Sequence, residues 1–304
     1  EELRLHFPDA RLFVMGALTE EELRVALTAR AEIAAWRDGF RELCSRMAAE
    51  VRDRAGVHVK FDSGMGRLGE RDAEALIEIA RAVSSDDNLE LAGVWTHFAT
   101  ADEPGDAYLG EQLAAFAPVA DAVRGIAPGC TVHAANSAAT FRDPASHFDM
   151  VRCGIAIYGL DPFHRDPAEH GLEPALELHS YVAEVKRFER GASAGYGRRW
   201  RAPEDTWVGV LPIGYGDGVR RGLSNNAEIL VGGRRYPLVG TVSMDNITID
   251  LGPNTDVEPG SPAVLIGAQG NDRILAEELA SRLDTINYEI TCGISARVRR
   301  EMSE

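Results

Sequence analysis

Lysine is nearly absent from this chain: of 32 basic residues among 304, only Lys60 and Lys186 are lysines, and the rest are arginines. Acidic residues outnumber basic ones by 48 to 32, giving a formal charge of −16. That balance excludes a broad basic face of the kind that nonspecific nucleic-acid or anionic-membrane binding requires. No apolar run approaches the roughly 18 residues of a membrane-spanning helix. The four cysteines, Cys44, Cys130, Cys153 and Cys292, are widely spaced and form no CxxC pair, which points to reduced thiols and a cytoplasmic setting. No HxxxH pair occurs among the eight histidines, so no metal site is expected. "IGYGDG" lacks the strand–helix context of a dinucleotide fingerprint, and there is no GxSxG elbow. The opening "EELRLHFPDARLF" has neither a starting methionine nor a signal-peptide apolar region, and the natural protein is expected to begin upstream of it.

What is present suffices for one or two cores: 45% of residues are hydrophobic and 26% charged. In the first half, short apolar runs ("RLFVMGAL", "EIAAW", "VHVKFDSG", "LAGVWTHF", "CTVHAANS", "MVRCGIAIYGL") alternate with stretches whose apolar residues recur at three and four. Thr19 and Glu22 have the spacing of a capping box. Strands alternating with helices predict parallel strands joined by right-handed crossovers. The fold class is therefore α/β: a TIM-type (β/α)8 barrel, incomplete here because six strands are found and the first two are missing. After the Pro/Gly-rich "GLDPFHRDPAEHGLEP" the runs read as strands with alternation and glycine turns, a mainly β domain with one helical run, "RILAEELASRLD". The domains are accordingly 1–163 and 164–304.

Reactive groups in a parallel barrel sit at the carboxyl ends of strands. Lys60 with Arg67, His97, Asn136 with Ser137, and Arg152 with Gly154 lie there. Lys60 is either a nucleophilic amine or retained for other chemistry that arginine cannot perform. His97 alone reads as a hydrogen-bonded structural histidine, and Ser137 as a helix N-cap or a phosphate ligand. Arg152, in an apolar run, needs an acceptor because it cannot neutralise itself. Small residues in "SAAT" and "RCGI" would let backbone N–H groups approach an anion. Tyr196 and Tyr215, among glycines, read as hairpin packing or as functional groups. A tyrosine acting as a base at neutral pH needs its ordinary pKa of about 10 lowered by cations or donors.

Seven motifs in order, "VKFDSGMGRLG", "THFATAD", "HAANSAAT", "VRCGIAIYGL", "LPIGYGDG", "VGTVSMDN" and "INYEI", resemble the alanine racemases, fold-type III enzymes that use pyridoxal 5'-phosphate. The resemblance spans essentially the whole chain. It implies that Lys60 is a carbamylated lysine whose anion orients Arg67, and that Arg67 meets the substrate carboxylate and the cofactor's phenolic oxygen. Arg152 resembles the arginine that donates to the pyridine nitrogen. Tyr196 resembles the base that takes the α-proton of L-alanine, lent by the partner subunit of a homodimer with shared active sites, with His97 and Arg152 as the relay behind it. Ser137, Gly154 and Ile155 resemble the phosphate cradle, with Asn136 and His97 also on the cofactor side. Met244, through its backbone N–H, and Asp245 resemble the substrate-binding segment, and Tyr215 an entrance tyrosine. Ala296 stands where the family has a second tyrosine near its C-terminal "GIS" segment. The family's cofactor lysine lies in a motif resembling "VKADAYGHG", absent here, so the second base is expected outside these residues and the 304-residue chain is expected to be inactive alone. The implied function is interconversion of L- and D-alanine, supplying D-alanine for peptidoglycan. The alternatives are a catalytically silent binding or structural relative, or a racemase for another amino acid.

Overall fold

The computed structural model describes residues 1–51 and 53–302. By compactness the chain forms two units, Glu1–Gly154 and Ile155–Glu304.

The first unit is one six-stranded sheet in the order β1 to β6, every pair parallel. Its strands are β1 (Phe13–Val14), β2 (Glu32–Ala35), β3 (Ala55–Lys60), β4 (Leu89–Trp95), β5 (Thr131–Asn136) and β6 (Met150–Arg152). The helices are α1 (Glu2–His6), α2 (Glu20–Thr28), α3 (Asp38–Val51), α4 (Ala73–Ser84), α5 (Tyr108–Ile126) and α6 (Ser137–Arg142). The capping box is made: Glu22 N–H donates to the Thr19 hydroxyl and Thr19 N–H donates to the Glu22 carboxylate at 2.8 Å. Asp72 caps α4 through the amides of Glu74 and Ala75. The apolar stripe of α4 (Leu76, Ile79, Ala80, Val83) is buried, and the helix packs over β3 and β4 and beside α5. Central strands are buried along most of their length, as parallel strands covered on both faces must be.

The run "MVRCGIAIYGL" departs from the expectation of one strand. Only Met150–Arg152 is extended, and Ile155–Tyr158 forms a 3-10 turn. The strand stops because the Gly154 amide leaves the ladder and donates to Ser137 Oγ at 3.0 Å.

The second unit is mainly β. β8 (Glu184–Phe188), β11 (Thr206–Leu211) and β14 (Ile247–Gly252) make one antiparallel sheet. β7 (Leu178–Tyr181), β12 (Glu228–Val231), β13 (Arg234–Pro237), β15 (Pro262–Gln269) and β16 (Asp272–Ile274) make a second, also antiparallel. A short ribbon pairs β9 (Ser193–Ala194) with β10 (Trp200–Arg201). Two helices follow, α7 (Ala276–Arg282) and α8 (Asn287–Cys292). The helical run expected from Arg273 therefore starts later, because Asp272–Ile274 pairs back onto β15. Leu211, Leu230, Leu238, Ile247, Ile249 and Ile274 centre its core.

Candidate active site

The carboxyl ends of β3 to β6 bring charged and polar groups of the first unit together. Lys60 ends β3, Asn136 ends β5, Arg152 ends β6, and His97 follows β4 by two residues. Register places Lys60 opposite Trp95, Trp95 opposite His133, and Asn136 opposite Arg152.

Arg152 is the organising side chain. Nη1 donates to Nδ1 of His133 at 2.9 Å; Nη2 donates to the carbonyls of Thr96 (2.8 Å) and Ala134 (2.9 Å) and to Nδ1 of His97 (3.2 Å). Its Nε–H is buried with no acceptor among the described residues. Burial lowers its pKa to about 10, which leaves it a cation at neutral pH. The guanidinium lies 4.9 Å from the ring centre of Trp95, and the Lys60 ammonium lies 4.2 Å from the same ring.

Lys60 is 2% exposed, and its pKa falls to about 8, first through burial and then through the charges of Arg67 and Arg152. A sizeable fraction is thus the neutral amine near physiological pH. Arg67 is exposed, on a loop pinned by Asp62, whose carboxylate accepts the amides of Gly64 (3.1 Å) and Gly66 (2.9 Å). His97 is held neutral, its pKa near 3, by burial and then by the charges of Arg152, Arg67 and Lys60. Because Arg152 can only donate, His97 Nδ1 is the acceptor and its proton rests on Nε2. At the start of α6, Asn136 rather than Ser137 is the N-cap, its Oδ1 accepting the Ala139 amide at 2.9 Å. That leaves the buried Ser137 hydroxyl beside the Gly154 amide, where open space lies on the side a Cβ would occupy.

The remaining expected residues belong to the second unit. Ile155 opens its first turn and is buried. Tyr196 is 73% exposed, anchored through its carbonyl, which accepts the Thr241 hydroxyl at 2.7 Å, and it lines an open cleft of about 390 Å³ with Ser243 and Asn246. The turn carrying Tyr215 is tied to the Met244 segment: Tyr215 N–H donates to Ser243 O (3.0 Å) and Gly216 N–H to Met244 O (2.9 Å). The Met244 amide itself donates to nothing among the described residues. Asp245 pairs with Arg297 at 2.6 Å, and Ala296 is exposed.

Four residues here escaped the sequence reading: His133, His58, Trp95 and Asp62. Period-two alternation offered a signal for two of them, since His58 shares a strand face with Lys60, and Trp95 leads to His97 with the same spacing.

The buried histidines set an acid limit. His133, like His97, is held neutral when folded, with a pKa near 2, by burial first. In the unfolded chain both would protonate near 6.5, so lowering pH from 6.5 toward 3 favours unfolding. Glu32, lowered to about 2 chiefly by a hydrogen bond from His58, acts in the same direction. Its contribution is complete above the ordinary carboxylate value and is lost as pH falls to about 2. The urea midpoint is expected to drop steadily between about pH 7 and about pH 4; a flat midpoint across that range would contradict this geometry.

Together, a parallel α/β half-barrel sheet with cations, a neutral histidine and small-residue turns at its carboxyl ends, followed by a β domain, define a TIM-like class. The chain matches the family profile "Alanine racemase, N-terminal domain" over residues 1–162 and "Alanine racemase, C-terminal domain" over 175–302. It is 41% identical over 302 residues to an alanine racemase of Symbiobacterium thermophilum, covering 98% of this chain and 79% of that protein. The solved alanine racemase of Streptomyces coelicolor A3(2) superposes with a TM-score of 0.91 at 35% identity, covering 97% of this chain and 80% of that one. The fold is shared too by the Bartonella henselae alanine racemase, solved with covalently bound pyridoxal phosphate (TM-score 0.85, 24% identity, 99% and 83% covered). The chain belongs to the alanine racemase family.

Proposed function

We propose that this protein interconverts L- and D-alanine with pyridoxal 5'-phosphate, by removal of the α-proton on one face and delivery on the other. The observation that carries the reading is Arg152: its terminal nitrogens are committed to His133, His97 and two carbonyls, while Nε–H is buried and without a partner among the described residues. A guanidinium can only donate, so the group it awaits is an acceptor with a lone pair, which an unprotonated pyridine nitrogen is. When bound, the cofactor supplies an electron sink for the carbanion left by proton removal. An arginine at the ring nitrogen restrains that sink, which suits racemisation over side reactions.

The other residues fit the same group. The Ser137 hydroxyl, with the amides of Gly154 and Ile155, would hold the phosphate, and Asn136 fixes the turn that presents Ser137. The partly neutral amine of Lys60 is the form that adds carbon dioxide, and the resulting anion would orient Arg67 toward the substrate carboxylate. The Met244 amide would bind that carboxylate, with Asp245 beside it and Tyr215 at the entrance. Tyr196 would take the α-proton of L-alanine, backed by neutral His97 on Arg152. In this reading residues 1–163 hold the cofactor, residues 164–304 lend Tyr196 to a second copy of the chain, and the cytoplasmic product serves peptidoglycan assembly.

The opposite face needs a second base. Lys60 is committed elsewhere, and Lys186 is exposed on β8, so we assign that base to a lysine outside these 304 residues. The test is D-alanine formation from L-alanine with added pyridoxal phosphate, by the 304 residues alone and by the protein of the whole reading frame. Conversion by the second only is expected. Conversion by the 304 residues alone would overturn the lysine assignment. No conversion and no cofactor absorption in either would favour a silent binding protein.

A further inference from the structure

Arg152 is a buried cation with no carboxylate in contact among the described residues. The hydrogen bonds lead away from it through the barrel interior instead. His133 takes its donor on Nδ1 at 2.9 Å, His133 Nε2 meets His58 Nδ1 at 2.8 Å, and His58 Nε2 meets Glu32 Oε2 at 2.7 Å. Glu32 opens β2 at the opposite end of the strands, where Arg11 pairs with it at 2.8 Å, and it lines a cavity of about 350 Å³ with Arg11, Arg30, Arg54 and Glu90.

We infer that Glu32 and His58 are positioning residues that fix the two imidazoles in a single tautomeric sense and so hold Arg152 with its Nε–H free for the cofactor ring. The logic is one of donors and acceptors. An arginine at one end can only donate and a carboxylate at the other only accepts. His133 must therefore accept on Nδ1, carry its proton on Nε2 and donate to His58 Nδ1. His58 must in turn carry its proton on Nε2 and donate to Glu32. A protonated His58 would set N–H against N–H, so both rings stay neutral. The carboxylate that ends the chain thus sits two imidazoles away from Arg152, where the Glu32 side chain is 20% exposed and Arg11 pairs with it at 2.8 Å. The groups around the rings are consistent with this polarity: Phe13 stacks on His58 (4.2 Å) and Trp95 on His133 (interplanar angle 3°), and neither ring competes for the nitrogens.

The backbone is cut to admit the chain. A Cβ at Gly93 would lie 2.2 Å from His58 Nδ1, and one at Gly56 would lie 2.9 Å from Glu32 Cγ. Two strands therefore carry glycine where the relay passes.

The role assigned to Arg152 rests on the functional reading above, but the relay can be read without turnover. In holoprotein labelled with ¹⁵N-histidine, two-bond ¹H–¹⁵N spectra should show His58 and His133 both as Nε2–H tautomers at neutral pH. Glu32→Ala removes the terminal acceptor and should mix the tautomers of both rings, with alanine turnover falling about tenfold. Glu32→Gln keeps a carbonyl acceptor and should restore both tautomers and most of the rate. An Nδ1–H or doubly protonated ring in the parent, or unchanged tautomers in Glu32→Ala, would overturn the inference; the parent spectrum decides alone if the alanine variant fails to fold. Correct tautomers in a protein that does not racemise alanine would leave the relay standing and contradict only the functional reading.

Discussion

Tyr196→Phe is expected to slow conversion of L-alanine by about 10²- to 10⁴-fold, the range for loss of a positioned general base, with no loss of thermal stability. The two halves of that expectation have separate grounds. The side chain is 73% exposed, and its hydroxyl makes no hydrogen bond among the described residues. What anchors the residue is its carbonyl, held by the Thr241 hydroxyl at 2.7 Å, and phenylalanine keeps that contact. The fold therefore has nothing to lose, whereas phenylalanine has no oxygen to take a proton. A variant with normal melting and normal rate would remove Tyr196 from the chemistry. A variant that melts early would show that the tyrosine is a packing residue of its turn.

Arg152→Ala should damage both function and fold. On the proposed function it would deprive the cofactor ring of its donor, and it leaves His133 Nδ1 and the carbonyls of Thr96 and Ala134 without partners in a dry interior. Each unsatisfied buried acceptor costs about 1–3 kcal/mol, and the vacated volume adds a cavity. The barrel unit should thus lose several kcal/mol in denaturant unfolding, and turnover should fall by at least about 10²-fold, as when a preorganised donor is removed. A third signature is electrostatic. The charge of Arg152 helps to lower His97 and Lys60, so both should titrate higher in the variant. A stable variant whose His97 titration is unmoved would mean that this cluster is not built around Arg152.

The sequence carried the layout of the first unit because its two periods are distinct. Apolar runs such as "VHVKF" and "CTVHAAN" became buried parallel strands, and the three-and-four spacing of "RDAEALIEIARAVSS" became α4. Once strands are placed, Lys60, Asn136 and Arg152 fall at their carboxyl ends. Two things were not legible. The run after Arg152 has strand composition but becomes a 3-10 turn, because a long-range contact, Gly154 N–H to Ser137, ends the ladder. The relay from Arg152 to Glu32 was invisible because its members sit on four strands, and His58 and His133 are 75 residues apart. Each alone is an ordinary histidine or glutamate. Only sheet register, and glycines at 56 and 93 whose Cβ atoms would collide with the relay, bring them into line.

The central claim is reversible proton transfer at the α-carbon of alanine, from one face to the other. It is tested most directly by incubating L-alanine and D-alanine separately in deuterated water with the whole-reading-frame protein and pyridoxal phosphate, and following each enantiomer and its α-position. The account predicts that each substrate yields its mirror image carrying solvent deuterium at the α-carbon, with no keto acid formed. Recovery of both enantiomers with the α-hydrogen intact, or conversion to keto acid in place of the opposite enantiomer, would contradict it.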